Sequence, residues 1–361
     1  MAAAPAPRAV HQLLGAFHLG DAVGNEALTI RRLLRQAGFA SEILAGWRDP
    51  GAADVRPLPA FAEVDSPQTV WLYHFSPGSP ATRAALSAGG RIALAYHNVT
   101  PARWFVGWSR EMARLALQAP AELRALAPRS TVALAKSEFS RRDLEAAGFR
   151  ATAVLPFLHD TQPPPTPAPV LRRMYADGRI NLLCVGRLAP NKRIERVLAA
   201  LAVLQRGLLP PTRLLVVGDR SLGAYVRALE SRSRELRLKE VAFLGHLEPD
   251  ELAACYRLAH VLVSLSGHEG YGVPLVEAML AEVPVLASDA GAVAETLAGA
   301  GLLVPEDASA EVVAALVARL VEDATLRASV LEGQRRVAAG IRAADGQTLL
   351  LAALAPALEA A

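Results

Sequence analysis

Short apolar runs recur along the chain, each followed by a stretch whose apolar positions return every three or four residues. In the second half the runs are INLLCVG (180–186), TRLLVVGD (212–219), VAFLGH (241–246), HVLVSLS (260–266), PVLASD (284–289) and AGLLVP (300–305). Between them lie the helical patterns NKRIERVLAALAVLQRG, a charged stretch at 221–237, and EPDELAACYRLA. Strands without polar alternation are buried on both faces, which points to a parallel sheet covered by helices. The first half keeps the rhythm. AVHQLLGAF, ASEILA, TVWLYHF, RIALAYH, TVALAKS and TAVLPF predict strands, with helices near 24–37, 79–89, 102–118 and 138–147. Residues 309–361 are helix-rich, and SAEVVAALVARLVED has the spacing of an amphipathic helix.

DTQPPPTPAP (160–169) interrupts the series, and its prolines favour an extended, stiff connector. A chain of 361 residues also exceeds the usual size of one core. The expected organisation is α/β: a Rossmann-like domain over 1–160, a proline-rich linker over 161–170 and a second Rossmann-like domain over 171–340. A C-terminal helix, 341–361, is then expected to pack back on the first domain. Hydrophobic residues at 52% and charged residues at 20% fit a folded globular protein. The net charge of +3 is too mild and too dispersed for a nucleic-acid binder. Cys184 and Cys255 sit inside apolar runs and form no metal or disulfide spacing, which suits a reducing cytoplasm. No uncharged apolar run approaches the ~20 residues that cross a bilayer. A cytoplasmic location is expected, with peripheral contact to the inner face of the membrane allowed.

Candidate chemistry concentrates in HEGYGVPLVEAM (268–279). Glu269 and Glu277 bracket two glycines and a proline where a strand gives way to a helix. Open α/β sheets bind their ligands at such strand ends. Gly270 and Gly272 let the backbone turn sharply and come close to a ligand, while Pro274 suits the first helical residue. The amides of residues 272–276 would face a ligand at a helix N-terminus, which attracts phosphate. Carboxylates beside phosphate need a different partner, and a carboxylate can accept hydrogen bonds from two adjacent hydroxyls. A nucleotide sugar, with phosphate in the middle and a sugar at each end, meets both needs. The same spacing also suits a loop acid, a helix-surface acid and glycines that merely turn the chain.

HEGYGVPLVEAM, followed by AEVPVLASDAGAVAET, resembles the donor-site signature of retaining GT-B glycosyltransferases, the large family 4 group (glycosyl transferases group 1). That group carries Glu-x7-Glu in this setting. The resemblance implies a GT-B fold, two Rossmann-like domains with a cleft between them. It also implies that Glu269 holds the donor sugar hydroxyls and Glu277 the ribose hydroxyls. Gly272, Val273 and Pro274 would form the diphosphate-facing turn, with Gly270 and Tyr271 in the same donor-binding elbow. VGRLAPNKRIERVLAAL (185–201) is similar to the family's strand-loop-helix with an arginine and a lysine five residues apart, here Arg187 and Lys192. Fixed cations at that place stabilise the charge of a leaving nucleoside diphosphate. The strand ends VVGDR and FLGH would wall the base through Gly218, Asp219, Leu244, Gly245 and His246. DAGAVAET resembles a second donor-side helix start with Gly291 and Glu295; this chain has Ala292 where the family often has a second glycine.

In the first half, HLGDAVGNEAL (18–28) turns at Gly20 and Gly24 into a helix that Asp21 or Asn25 can cap. The family's corresponding loop lies over the donor phosphates and beside the acceptor, placing Gly20 on the donor side and Asp21 on the acceptor side. The loop is not a G-x-G-x-x-G fingerprint, which speaks against a Rossmann oxidoreductase. His97 and Asn98 end the strand in LAYHNVTP, and His97 resembles the family's active-site histidine that approaches the donor sugar. His74 and Ser76, in YHFSPGSP, and Asn98 are expected on the acceptor side, and Ser137 is expected to cap the helix of AKSEFSRRDL. WFVGWSREMARLAL gathers Trp104, Phe105 and Trp108 near Arg103, Arg110 and Arg114. That is either an interfacial helix suited to a polyprenyl-linked acceptor or an aromatic face packed on its domain.

The implied function is a retaining hexosyltransferase that moves a hexose from a nucleotide-diphosphate sugar to a saccharide or lipid-linked saccharide, in polysaccharide or glycoconjugate biosynthesis. Its catalytic set would be His97, Arg187, Lys192 and Glu269. Neither cofactor nor metal is expected, since no Asp-x-Asp motif occurs. The motifs leave no carboxylate nucleophile, so the acceptor is expected to attack the face that the diphosphate leaves. The alternatives are a sugar-nucleotide epimerase of similar fold and a catalytically silent nucleotide-sugar-binding module.

Overall fold

The computed structural model describes residues 9–158, 169–207 and 209–359. They divide into two compact units. The first holds 9–103, 111–158 and 344–359; the second holds 104–110, 169–207 and 209–343.

The first unit is built on β1 (Ala9–Phe17), β2 (Ile43–Arg48), β3 (Arg56–Pro57), β4 (Thr69–His74), β5 (Arg91–Tyr96), β6 (Ser130–Ala135) and β7 (Thr152–Val154). All pairings are parallel, in the order β3-β2-β1-β4-β5-β6-β7. Every residue of β4 is buried, as an apolar run covered on both faces requires. The last helix of the chain, Gly346–Glu359, belongs to this unit. It sets Leu350, Leu354 and Ala357 into a core with Val10, Ile30, Leu34 and Val70, and Arg91 donates to the Ala357 carbonyl at 3.0 Å.

The second unit is built on β8 (Ile180–Val185), β9 (Thr212–Val217), β10 (Val241–Gly245), β11 (Val261–Ser264), β12 (Val285–Ser288) and β13 (Leu302–Val304). These are again parallel, in the order β10-β9-β8-β11-β12-β13. Leu183, Leu215, Leu262 and Val285 from the strands pack with Leu275, Val276 and Met279 from the helix Val273–Leu280. In each sheet the order reverses once, between β1 and β4 and between β8 and β11. Crevices at the carboxyl ends of such strand pairs are where open α/β sheets hold ligands.

Three expectations change. Most of the proline-rich linker lies outside the described residues, but Pro169 already opens the helix Pro169–Tyr175, so the linker cannot run to 170. A proline at the first helical position gives up no hydrogen bond, which is why the proline run does not forbid a helix there. The helix expected at 102–118 is instead a short 3-10 turn, Ala102–Trp104, a loop, and a helix over Arg110–Leu126 that continues through Pro120. The segment 104–110 also groups with the second unit, although it lies in the first half of the sequence. Among the described residues no single helix is long and apolar enough to cross a membrane.

Candidate functional site

β8 and β11 lie side by side, Leu182 opposite Val261 and Leu183 opposite Leu262. The loops leaving their carboxyl ends carry Lys192 and Glu269, and these close an ion pair: Nζ lies 2.6 Å from Oε1, with the side chains 17% and 11% exposed. The chain reaches this arrangement by a fixed path. Beyond β8, Gly186 turns at φ 136° and the Leu188 amide donates to the Asp219 carbonyl at 2.9 Å. A 3-10 turn over Pro190–Lys192 follows, and Arg193, left-handed at φ 47°, starts the helix Ile194–Leu204. Asn191 ties the two loops together: its carbonyl accepts from the Gly267 amide at 2.8 Å, and its Nδ2 donates to the His268 carbonyl at 3.2 Å. Arg187 stands exposed on the same turn and closes no salt bridge among the described residues. Desolvation lowers its pKa from the ordinary guanidinium value, with Asp219 acting the other way, and an arginine stays charged regardless. The nearby Cys184 thiol is pushed up to about 12 by burial, despite the Lys192 charge, so it is a neutral packing group and no nucleophile.

The acidic elbow is held from behind. Gly272, at φ 96°, caps the helix Val273–Leu280, which makes Pro274 the second helical residue, one later than expected. The Ala292 amide donates to the Glu269 carbonyl at 2.9 Å, and Thr296 Oγ1 donates to the Tyr271 carbonyl at 2.5 Å. Gly291 is left-handed at φ 62°, and a Cβ there would lie 2.3 Å from the Glu269 carbonyl oxygen. Ala292 is fully buried and its amide still reaches the elbow, so the missing second glycine leaves this contact intact. Glu295 is exposed on the short helix Val293–Leu297. At the far end of the elbow, Glu277 Oε2 accepts from Tyr256 Oη at 2.6 Å. Burial raises the Glu277 pKa and that hydrogen bond opposes the rise.

The expected base-side residues are backbone features first. A Cβ on Gly218, at φ 143°, would lie 2.0 Å from the Gly186 carbonyl oxygen, and the Gly218 amide donates to the Gly245 carbonyl at 2.8 Å. Gly245, at φ 75°, follows a register shift in β10, with Leu244 half-buried against the core and His246 exposed. Asp219 accepts from the Ser221 amide at 3.1 Å.

The aromatic segment resolves in favour of packing. The helix begins only at Arg110, so Trp104, Phe105 and Trp108 share no lipid-facing helical side. The Arg193 guanidinium lies 4.9 Å from the Trp104 ring centre, and a Cβ on Gly267 would fall 2.5 Å from the indole. Phe105 is 2% exposed, and Trp108 meets Tyr225 edge-on at 5.1 Å. The indole fits because residue 267, two before Glu269, has no side chain.

In the first unit Gly20 turns at φ 80° and Asp21 caps the helix Ala22–Gln36, accepting from the Gly24 amide. Ser76 bonds its amide and carbonyl to Tyr73 Oη, both at 3.2 Å, and Ser137 caps the helix Glu138–Ala146. Asn98, left-handed at φ 70°, donates to Ser140 and Asp143 at 3.2 and 3.1 Å. His74 is 2% exposed rather than on an acceptor-facing surface. It belongs to a relay. Gln12 Nε2 donates to the Ala27 carbonyl at 2.9 Å, so Gln12 Oε1 faces His74 Nε2 at 2.9 Å and that nitrogen carries the hydrogen. Neutral His74 then accepts at Nδ1 from His97 Nε2 at 2.9 Å. His97 Nδ1 is left with a lone pair, 3.8 Å from Glu26 Oε2, and neither atom has a hydrogen bond among the described residues. Both ring nitrogens of His97 therefore face inward. This corrects the expectation that a nitrogen of His97 reaches a donor sugar.

Glu26, His74 and His97 lie close enough to suggest a metal centre. Two features argue otherwise: both nitrogens of His74 are hydrogen-bonded, and the buried Lys136 ammonium lies 2.6 Å from Glu26 Oε1. The cluster instead predicts a pH response. Burial, reinforced by the Lys136 charge, lowers His74 to about 3 and holds His97 well below 6.5. Below the unfolded value the denatured chain takes up protons that the folded unit refuses. Stability is thus complete above about pH 6.5 and falls on acidification by up to ~1.4 kcal/mol per pH unit for each histidine. Glu26, raised by burial, acts with the opposite sign in the carboxylate range and offsets part of the loss. Urea midpoints between about pH 7.5 and 5.5 should decline accordingly; a flat profile would mean the pair is not buried neutral.

Residues 175–337 match the profile of the family described as Glycosyl transferases group 1. A GDP-mannose-dependent alpha-(1-6)-phosphatidylinositol monomannoside mannosyltransferase of Mycobacterium tuberculosis is 30% identical over 268 residues, 69% of this chain and 65% of that protein. The match thus spans just under two thirds of that relative's length. The sucrose-phosphate synthase structure from Thermosynechococcus elongatus aligns with a TM-score of 0.73 at 20% identity, covering 96% of this chain and 97% of that one. Anabaena HepE in complex with UDP-glucose aligns with a TM-score of 0.67 at 20% identity, covering 96% and 98%. The chain has the GT-B fold. Within this GT-B chain the family match falls on the unit that holds the Lys192–Glu269 pair and the Gly272 elbow. Tyr256, Asn191, Thr296 and Trp104 also shape this site and were not singled out as such from the sequence. Only Asn191, inside the APNKR motif, stood where a local signal could have marked it.

Proposed function

We propose that this chain is a glycosyltransferase moving a hexose from a nucleotide-diphosphate sugar to a saccharide or lipid-linked saccharide, with retention and without a metal ion. The observation that carries the reading is the Lys192–Glu269 pair at the β8/β11 switch point, on an elbow that runs into the Gly272 helix start. Cation and amides suit a diphosphate; the adjoining carboxylates suit hydroxyls. The family match and the shared fold support glycosyl transfer. The mycobacterial relative is named for GDP-mannose and the HepE structure holds UDP-glucose, so these two donors come first in any panel.

In this mechanism Arg187, Lys192 and the helix-start amides receive the charge that grows on the diphosphate as its bond to the sugar anomeric carbon breaks. The acceptor oxygen bonds that carbon on the same face, and its proton passes to the departing phosphate oxygen. Glu269 orients the sugar hydroxyls. Glu277, steadied by Tyr256, holds the ribose. The cationic pair takes the part a divalent ion plays where an Asp-x-Asp motif is present. A lipid-linked acceptor would bring peripheral membrane contact, but the Trp104–Trp108 aromatics do not form a docking helix for it.

Nucleoside diphosphate release over a donor panel, with and without saccharide and polyprenyl-linked acceptors, tests the reading. Acceptor-dependent release that survives a chelator, with the donor's anomeric configuration kept in the product by NMR, is expected. Turnover of the donor without acceptor would indicate the epimerase, and binding without release the silent module. A bound donor should also raise the unfolding temperature by mass action. Glu277→Ala should abolish that protection, and unchanged protection would end the ribose assignment.

A further inference from the structure

The donor-site reading has a consequence for selectivity, and the inference rests on that reading. We propose that Glu269 competes with the diphosphate for Lys192, so that the site selects a diphosphate bearing a sugar over a bare nucleoside diphosphate. The two side chains are bonded to each other at 2.6 Å, and the Glu269 side chain is 11% exposed. A bare diphosphate that draws the ammonium away leaves this carboxylate mostly buried and without its cation, a costly state. The acid cannot easily escape by moving its loop. The Glu269 carbonyl is held by the Ala292 amide, Gly291 packs directly behind it, and the preceding His268 carbonyl is held by Asn191. A nucleotide sugar removes the conflict, because its hydroxyls donate to the carboxylate while Lys192 turns to phosphate. Arg187 closes no salt bridge among the described residues, so its attraction for phosphate carries no such condition. After transfer the sugar is gone, Glu269 takes Lys192 back, and the remaining diphosphate is weakened where it stands.

The test is calorimetric titration of UDP, GDP, ADP and dTDP, and of the matching nucleotide sugars, into the full chain and into Glu269→Gln. Glutamine keeps the shape without the charge that competes for Lys192. The variant should bind its nucleoside diphosphate about tenfold more tightly than the parent, a change of ~1.4 kcal/mol, while its nucleotide sugar binds no more tightly. In a Lys192→Gln background the same change at 269 should give no gain, since nothing is left to compete for. Glu269→Ala repeats the comparison should the glutamine variant fold poorly. Nucleoside diphosphate affinity that is unchanged or weaker in both Glu269 variants overturns the proposal and leaves the donor site standing. If neither parent nor variants bind any diphosphate or nucleotide sugar, the donor-site reading falls and this inference with it.

Discussion

Lys192→Ala is expected to lower kcat for transfer by about 10²–10³-fold, the loss typical when one preorganised group facing developing charge is removed. The lysine contributes twice. Its ammonium, 17% exposed at the end of β8, faces less water than a surface lysine and so keeps more of its field. It also neutralises Glu269, and the alanine variant leaves that acid uncompensated beside the place where the leaving diphosphate gains charge. Repulsion is then added to lost attraction. Lys192→Arg should rescue only partly, because a planar guanidinium on a longer fork cannot occupy the position of a compact ammonium 2.6 Å from Glu269. Single-turnover rates with saturating donor separate this effect from weaker binding, and the unfolding temperature reports any structural damage. A kcat within about fivefold of the parent, in a folded variant, would remove Lys192 from the transition state, since even one general electrostatic contact there is worth more.

How much of this could be read before the structure depends on whether the signal is local. The parallel strands were legible because burial on both faces leaves unbroken apolar runs, as in β4 and β9, all of whose residues are buried. The elbow was legible because glycine, proline and acid fall within one short stretch. β3 was not, since Arg56–Pro57 pairs with Leu44 and Ala45 over two residues and carries no apolar run. The helix Arg110–Leu126 was misplaced for two reasons: its apolar spacing continues upstream into the tryptophan loop, and Pro120 looks like a stop. A proline inside a helix removes one backbone hydrogen bond, which a long helix can tolerate at a cost. The residues that steady the site come from elsewhere in the chain. Tyr256 reaches Glu277 from 21 residues away, and Gln12 reaches His74 from 62. Such pairs have no fixed spacing, so periodicity is blind to them, and a histidine at a strand end looks the same whether its nitrogens face a ligand or a buried relay.

Gly218→Ala is expected to destabilise the second unit by about 4 kcal/mol or more, at the exceptional end for a single substitution. Two causes act together. The residue sits at φ 143°, a conformation that side chains with a Cβ rarely adopt. The added carbon would also lie 2.0 Å from the Gly186 carbonyl oxygen, 2.5 Å from its carbon and 3.2 Å from the Arg187 amide. All three are backbone atoms, so no rotamer change relieves the collision. Nor can either strand end yield alone: the Gly186 amide is bonded to the Val217 carbonyl and the Gly218 amide to the Gly245 carbonyl, which links β8, β9 and β10. Gly178→Ala is the control. Its φ of 83° imposes a conformational penalty, but nothing lies within 4 Å of its Cβ, so it should cost only ~1–2 kcal/mol. Denaturant midpoints for the two variants isolate the collision from the φ penalty. Equal losses would show that the strand ends can part without strain. In that event the turn that carries Arg187 and Lys192 would be set by its own loop rather than by the packing of one glycine on another.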